Sequence, residues 1–292
     1  MKLGVVFPQT EIGTDPGAVR AFGQAIEDLG FDHLVAYDHL LGADTRGPYA
    51  YRQGRPYSYR DQFFEPFMLF AHLAAVTTRL GFMTGVLVLG QRQTALVAKQ
   101  AAVLDVLCGG RFRLGVGTGW NDVEYEAMGE NFRTRGTRAE EQIEVMRALW
   151  TNEVVTYEGR WHKITAAGIK PLPLQRPIPV WIGGSVESVF KRAGRIADGW
   201  ISTGRFGVSE KSRGAIETIH AAAAEAGRDP ADIGIQGILN LSELGLDEAV
   251  AAVGRLREMG AGYVSLMTMN TGLKTPDDHI ETVRRWKEGA GL

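Results

Sequence analysis

The sequence predicts a single α/β domain, residues 1–292, folded as a (β/α)8 TIM barrel with insertions after strands 2 and 4. The length of 292 residues suits a barrel of roughly 250 residues that carries two insertions. Short apolar, β-branched segments alternate with segments of helical period, as in a parallel sheet wrapped by helices. The strand segments number about eight, which is the number that closes such a barrel.

The predicted strands are short runs bounded by turn residues, and they lie at 3–9, 33–39, 80–89, 112–118, 178–183, 199–203, 233–241 and 263–269. The predicted helices carry apolar residues at helical spacing, and they lie at 16–29, 65–77, 94–107, 138–150, 188–196, 210–226, 247–258 and 276–288. Asp15-Pro16 and Thr275-Pro276 are typical of capped helix starts, and Leu29-Gly30 is typical of a glycine-terminated helix end.

Two insertions interrupt this alternation. The first, residues 41–62, contains Tyr49, Tyr51, Tyr57 and Tyr59, which predict either an aromatic lid or exposed loop side chains. The second, residues 152–177, has a hairpin-like pattern around Gly159. A doubly wound sheet is the rival architecture, but the glycines from Gly115 to Gly119 lack the third-glycine spacing of its dinucleotide-binding turn.

Composition excludes several classes of function. The formal charge of -2 predicts no broad attraction to nucleic acid or to an anionic membrane. The single cysteine, Cys108, cannot form an internal disulfide, and no Cys/His spacing predicts a metal site. Residues 1–7 show no signal-peptide pattern, and no apolar run approaches the ~20 residues of a membrane span. We therefore expect a cytoplasmic protein whose partner is a small-molecule substrate.

The second strand ends in a candidate catalytic pair, Asp38-His39. Reactive groups of α/β barrels gather at the carboxyl ends of the strands. A carboxylate beside an imidazole offers a proton carrier whose pKa can be adjusted to the working range. The alternative is a strand-end aspartate that caps a loop beside a surface histidine.

Glycines in the third and fourth strands predict a close approach of the backbone to another group. The third strand contains Thr84-Gly85-Val86, and the fourth runs from Gly115 to Thr118-Gly119 and Asn121. A planar ring lying against these glycines is one interpretation, and relief of crowding inside the barrel is the other.

The fifth strand ends in Gly183-Gly184-Ser185 and leads into a helix. Free backbone N–H groups at a helix start, with a hydroxyl nearby, form an anion site that suits a phosphate. The alternative is a tight turn with a serine cap. With Thr203 at the end of the sixth strand, these strand ends predict a cofactor cleft at one rim of the barrel.

In order and spacing, these segments resemble the luciferase-like monooxygenase family over nearly the whole chain. The segments that carry the resemblance are Tyr37-Asp38-His39, Leu80-Gly81 with Thr84-Gly85-Val86, Ala98-Lys99-Gln100 to Gly109-Gly110-Arg111, Gly115 to Asn121, Glu158-Gly159 and Val180 to Ser185. The resemblance implies a (β/α)8 barrel, often dimeric, that binds FMN or the deazaflavin coenzyme F-420 at the strand carboxyl ends. It also implies a cis peptide between Gly85 and Val86.

Two positions favour F-420 over FMN. Asp38-His39 stands where FMN-dependent members more often have Glu-His or His-His, and Thr118 stands where they have an arginine for the FMN phosphate. Trp120 departs from the glutamate acid of some F-420-dependent dehydrogenases of sugar phosphates and alcohols, so their chemistry is not carried over.

From this resemblance we expect hydride transfer between F-420 and an organic substrate, with His39 handling the proton and Asp38 contacting the polar edge of the deazaflavin. We also expect a homodimer formed through helices 65–77 and 94–107. The alternatives are an FMN-dependent monooxygenase supplied by a partner reductase, and a non-catalytic flavin-binding relative.

Overall fold

A computed structural model describes residues 1–47 and 56–291. Tyr49 and Tyr51 of the predicted lid lie outside these residues. The strands are β1 Lys2–Val6, β2 His33–Ala36, β3 Gly81–Thr84, β4 Leu87–Val88, β5 Phe112–Gly117, β6 Val155–Glu158, β7 Lys163–Ala167, β8 Val180–Gly183, β9 Gly199–Thr203, β10 Gly234–Asn240 and β11 Tyr263–Met267.

Nine strand segments form a parallel barrel in the order β3-β2-β1-β11-β10-β9-β8-β5-β4, and β3 closes it by pairing with β5. The predicted third strand is divided into β3 and β4, and the Gly85–Val86 peptide between them is cis, as predicted. β3 and β4 together occupy one position beside β5, so the barrel has the predicted eight positions. The predicted TIM-barrel fold is confirmed.

The helices surround the barrel and are α1 Pro16–Asp28, α2 Pro66–Ala74, α3 Thr94–Leu107, α4 Asp122–Ala127, α5 Arg135–Thr151, α6 Glu187–Ile196, α7 Gly204–Gly207, α8 Glu210–Glu225, α9 Leu241–Leu244, α10 Leu246–Glu258 and α11 Pro276–Gly289. All eight predicted helices are present. The predictions missed α4, α7 and α9, because helices of four to six residues are too short to show a helical period.

Helix starts follow the predicted capping chemistry. Asp15 accepts a hydrogen bond from the Gly17 N–H at the start of α1. Thr275 and Asp278 form a reciprocal capping box at the start of α11. The second insertion contains the predicted hairpin, in which β6 and β7 pair antiparallel through Glu158 and Lys163.

Side chains alternate between two apolar layers along each barrel strand, because successive strand residues point to opposite faces. Val5 and Leu34 pack outward against the helices. Their neighbours Val6 and Val35 point into the barrel, where they join Trp181 and other inward residues. In the described part of the chain, none of the helices is long and apolar enough to cross a membrane.

Candidate functional site

The barrel topology brings the predicted site residues to one rim. They lie at or just beyond the carboxyl ends of β2, β3, β5, β8 and β9, which are consecutive around the sheet. All these strands run parallel, so their carboxyl ends lie at the same end of the barrel. The predicted residues therefore lie along a continuous arc.

A cavity of about 330 Å³ opens beside His39 at this rim. Its described lining consists of His39, Leu40, Leu41, Gly42, Tyr57, Ser58, Tyr59, Asp61, Phe63, Trp120 and Asn121. The His39 side chain is 11% exposed, so the imidazole forms part of the wall. Of the predicted lid tyrosines within the described residues, Tyr57 and Tyr59 both line this cavity.

Glu124 is the main partner of His39, and the sequence did not identify it. Its Oε1 accepts from His39 Nδ1 at 3.2 Å and from the Leu40 and Leu41 backbone N–H groups at 2.8 and 3.2 Å. Its Oε2 accepts from the Gln91 side chain at 2.8 Å. One carboxylate thus holds the imidazole and the start of the loop after β2.

This arrangement determines which imidazole nitrogen carries hydrogen. Burial raises the pKa of Glu124, but hydrogen bonds from His39 and Gln91 outweigh it and lower the pKa below its usual value. Glu124 is therefore an ionised acceptor at neutral pH, and His39 Nδ1 must donate to it. His39 Nε2 is then the nitrogen that can accept or deliver a proton.

Three aromatic rings surround the imidazole. The ring centroids of Tyr57, Phe63 and Trp120 lie 5.0, 4.8 and 5.4 Å from that of His39. Tyr57 and Phe63 also contact each other edge to face at 4.6 Å. We call these three side chains the aromatic wall.

The Asp38 side chain is only 1% exposed. Its carboxylate accepts from Arg92 Nη2 at 2.8 Å and from the Val88 backbone N–H at 2.9 Å. Arg92 in turn contacts Glu65, the N-cap of α2, at 3.0 Å. Asp38 therefore anchors the chain just beyond the Gly85–Val86 peptide, and its contact with a cofactor remains a prediction.

Glycines at or just beyond the carboxyl ends of β5 and β8 make room for Val86 and Val88. A Cβ added at Gly117 would clash with the Val86 side chain, and one added at Gly119 would lie 2.6 Å from Val88 Cγ1. A Cβ at Gly183 would lie 2.6 Å from Val86 Cγ1. Of the two interpretations, relief of crowding accounts for Gly117 and Gly119 in this structure.

Three other predicted residues have structural partners. The Thr84 hydroxyl is buried and donates to the Gly115 carbonyl at 2.6 Å. Asn121 caps α4 and donates to the Leu41 carbonyl at 2.9 Å. The Thr118 carbonyl accepts from the Tyr125 hydroxyl at 2.8 Å. Their cofactor contacts remain predictions.

The turn after β8 leaves the start of α6 without a side-chain cap. The N-cap residue is Val186, which has no side-chain acceptor, and the exposed Ser185 does not cap the helix. Gly184 has φ of 143°, and its carbonyl accepts from Trp200 Nε1. Thr203 is exposed at the end of the adjacent β9. The alternative of a tight turn with a serine cap is therefore wrong.

A family model matches nearly the whole chain. A model of the luciferase-like monooxygenase family matches residues 1–287. The chain belongs to this family. The match confirms the resemblance inferred from the sequence motifs, and it extends through the luciferase-like barrel from β1 to α11.

Relatives of this luciferase-like chain have several activities. An uncharacterised protein of Mycobacterium tuberculosis is 38% identical over 68% of this chain and 69% of its own length. An F-420-dependent glucose-6-phosphate dehydrogenase of Segniliparus rotundus is 32% identical over 75% of this chain and 62% of its own length. Pyrimidine monooxygenase RutA of Allorhizobium ampelinum is 30% identical over 78% of this chain and 64% of its own length.

Among solved structures, monooxygenase RslO1 from Streptomyces bottropensis shares the luciferase-like fold. It matches with a TM-score of 0.78 and 20% identity, covering 99% of this chain and 98% of its own.

Proposed function

We propose that this chain is a cytoplasmic oxidoreductase that transfers a hydride between the deazaflavin coenzyme F-420 and a small organic substrate. The observation that carries the proposal is the His39–Glu124 pair. It engages Nδ1 of an imidazole that lines a cavity at the rim where luciferase-like barrels are expected to hold their cofactor. A hydride transfer to carbon usually requires a proton at a neighbouring heteroatom, and an imidazole can supply or remove it.

The rim residues fit a cofactor with a flat ring and a phosphate. The Val86 side chain occupies the space that Gly117 and Gly183 leave open, so a ring at this rim would lie against the Gly85–Val86 segment. The first turn of α6 has no side-chain cap and the hydroxyl of Ser185 is exposed, which suits a phosphate oxygen.

The proposed cofactor contacts follow from this fit. Gly85 and Val86 would support the ring, Asp38 would serve its polar edge, and the phosphate would bind at Gly183–Ser185. Further contacts are proposed for Thr84, Thr118, Gly119, Asn121 and Thr203. When bound, F-420 supplies an obligate hydride carrier that does not readily activate oxygen.

The residues of this chain divide the remaining work. Glu124 keeps the hydrogen of His39 on Nδ1, so Nε2 exchanges the proton with the substrate. Asp38 and Arg92 hold the Val88 backbone and thereby the segment proposed to support the ring. The aromatic wall packs against the imidazole and limits its exposure to 11%.

The test is a titration of the purified protein with F-420 and with FMN. We expect F-420 to bind at least tenfold more tightly, a difference of about 1.4 kcal/mol. This expectation rests on Asp38 and Thr118, which stand where FMN-dependent members of the family more often have other residues. Equal affinities, or FMN retained through purification, would contradict the proposal.

An FMN-dependent monooxygenase is the second candidate, favoured by the 30% identity with pyrimidine monooxygenase RutA. It requires a reductase to supply reduced flavin, and it consumes oxygen in step with product. Oxygen uptake with reduced FMN, compared with anaerobic turnover with F-420, separates the two. A non-catalytic flavin-binding role would show cofactor binding without turnover in either assay.

A further inference from the structure

The aromatic wall indicates the chemical class of substrate. Phe63 and Trp120 both contact the His39 ring. Phe63 is 24 residues from His39 in the sequence and Trp120 is 81 residues from it, so separate loops converge on the imidazole. Both side chains also line the cavity that His39 lines. Flat aromatic walls recognise other rings through stacked or edge-to-face contacts.

The polar groups of the described lining favour a neutral ligand. Asp61 Oδ2 accepts from the backbone N–H and the hydroxyl of Ser58, at 2.7 and 3.0 Å, and this carboxylate disfavours an anionic ligand. Burial, followed by the charge of Asp61, raises the pKa of Tyr57 to about 12, so its phenol is uncharged at neutral pH. The described lining contains no lysine or arginine that would pair with a phosphate or carboxylate.

On the basis of the function proposed above, we propose that the substrate is a neutral compound with one or two planar rings whose reacting double bond is conjugated with the ring. A cavity of about 330 Å³ is at the small end of the range for ligand sites, which limits the substrate to this size. The ring would lie against Phe63 and Trp120, with the reacting heteroatom toward His39 Nε2.

The reduction is balanced as follows. Bound in its reduced form, F-420 would supply a hydride, with both electrons, to the substrate carbon and would itself be oxidised. The π bond of the substrate breaks, and its electron pair takes a proton from His39 Nε2. The imidazole then regains a proton from water. The reverse sequence oxidises the corresponding saturated compound.

The experiment compares two enones that share the reacting group, benzylideneacetone with a phenyl ring and pent-3-en-2-one without one. Oxidation of reduced F-420 is followed for the wild-type protein, Phe63→Leu and the matched control Phe64→Leu. Phe64 is adjacent in sequence but packs against Phe7 rather than the cavity. Saturation-transfer NMR without cofactor measures binding of both compounds independently of turnover.

We expect a wild-type kcat/KM at least tenfold higher for benzylideneacetone. Phe63→Leu should raise KM for that compound about fivefold and thereby reduce the preference for it over the aliphatic compound, without changing the F-420 affinity. Phe64→Leu should not change the preference for benzylideneacetone over pent-3-en-2-one. Equal kcat/KM for both enones, or an equal loss with both in Phe63→Leu, would overturn this inference while the F-420 proposal stands. Ring-selective binding without F-420 binding would contradict the proposed function alone.

Discussion

Glu124 Oε1 accepts three N–H groups, and this makes the His39 imidazole part of a fixed assembly. Positioning groups of this kind act by fixing the tautomer and by stabilising the imidazolium. Glu124 therefore contributes to the chemistry although it contacts neither the cavity nor the proposed cofactor directly.

The roles of His39 and Asp38 can be separated by substitution. We expect His39→Ala to lower turnover about a hundredfold with little change in cofactor affinity, because general acid–base catalysis contributes about that much. We expect Asp38→Ala chiefly to weaken cofactor binding, because it releases Arg92 and the Val88 backbone. Steady-state kinetics and F-420 titration measure both effects. The converse pattern would exchange the roles, and full activity of His39→Ala would assign the proton to another residue.

Glu124→Gln tests the positioning role. The neutral amide cannot stabilise an imidazolium, so we expect turnover to fall by about tenfold or more while the fold is retained. Nitrogen-15 NMR of His39 should show Nδ1 protonated in the wild-type protein and a mixture of tautomers in the variant. Glu126→Gln, an exposed position on the same helix, is the control. An unchanged tautomer in Glu124→Gln would refute the positioning role.

His279 is a buried residue that should make stability depend on pH. Burial lowers its pKa to about 4 despite the opposing charge of Asp278; its Nδ1 lies 2.7 Å from the Thr268 hydroxyl and its Nε2 lies 3.2 Å from Glu11 Oε2. The unfolded chain binds a proton near pH 6.5, so the contribution is complete above that pH and is lost as the pH falls toward 4. It amounts to about 3 kcal/mol at most.

Urea unfolding between pH 7.5 and 4.5 measures this effect. We expect the free energy of unfolding of His279→Gln to decline less with falling pH than that of the wild-type protein. His33 is also buried with a strongly lowered pKa and should keep part of the dependence in the variant. Parallel curves for the two proteins would rule out the contribution of His279.

At the scale of elements, β3, β4 and β5 form a tightly packed unit at the rim. The side chains of Val86 and Val88 lie where Gly117 and Gly119 have no Cβ, and Asp38 holds the Val88 N–H from β2. The proposed ring support is thus built from packing between strands as well as from the backbone of one strand.

Gly119→Ala tests this packing. Gly119 has φ of 62°, which costs an alanine about 1 kcal/mol, and the contact with Val88 adds about 1–3 kcal/mol. The control is Gly129→Ala, with φ of 70° and no atom within 4 Å of the added Cβ, which should show only the backbone cost. Chemical denaturation measures both, and Val88→Ala should partly rescue Gly119→Ala. Equal losses in the two glycine variants would show that the close contact is unimportant.

At the scale of the whole molecule, α2 and α3 expose apolar side chains on the side of the barrel. Met68, Leu96 and Leu107 are 63%, 54% and 60% exposed. Such exposure on two neighbouring helices is typical of an interface between subunits. The predicted homodimer agrees with this surface and remains a prediction.

Light scattering at micromolar concentration tests the homodimer. We expect about 64 kDa, twice the chain mass of 31.9 kDa. Leu96→Glu should shift the mass toward the monomer by placing a charge in the interface. Val154→Glu, at a residue 63% exposed next to the β6–β7 hairpin, is the control and should leave the mass unchanged. A wild-type monomer would contradict the prediction.

The sequence by itself determined the barrel and the rim. Apolar runs of period two and capped helical segments depend only on which residues are buried and on the local backbone geometry. The order of strands and helices was therefore predictable from the sequence. The ends of those strands then indicated Asp38, His39 and Gly183–Ser185 as candidates, because parallel strands share one carboxyl edge.

Only the tertiary structure decided which side chains meet. Glu124 lies 85 residues from His39, and Arg92 lies 54 residues from Asp38, so neither contact leaves a local pattern. Glu124, three residues after the Asn121 cap, resembles an ordinary helix start, and the glycines of β5 are equally compatible with a ring or with Val86. Local periodicity specifies what each element buries, whereas these partners depend on the register of the closed sheet and on the loops that it brings together.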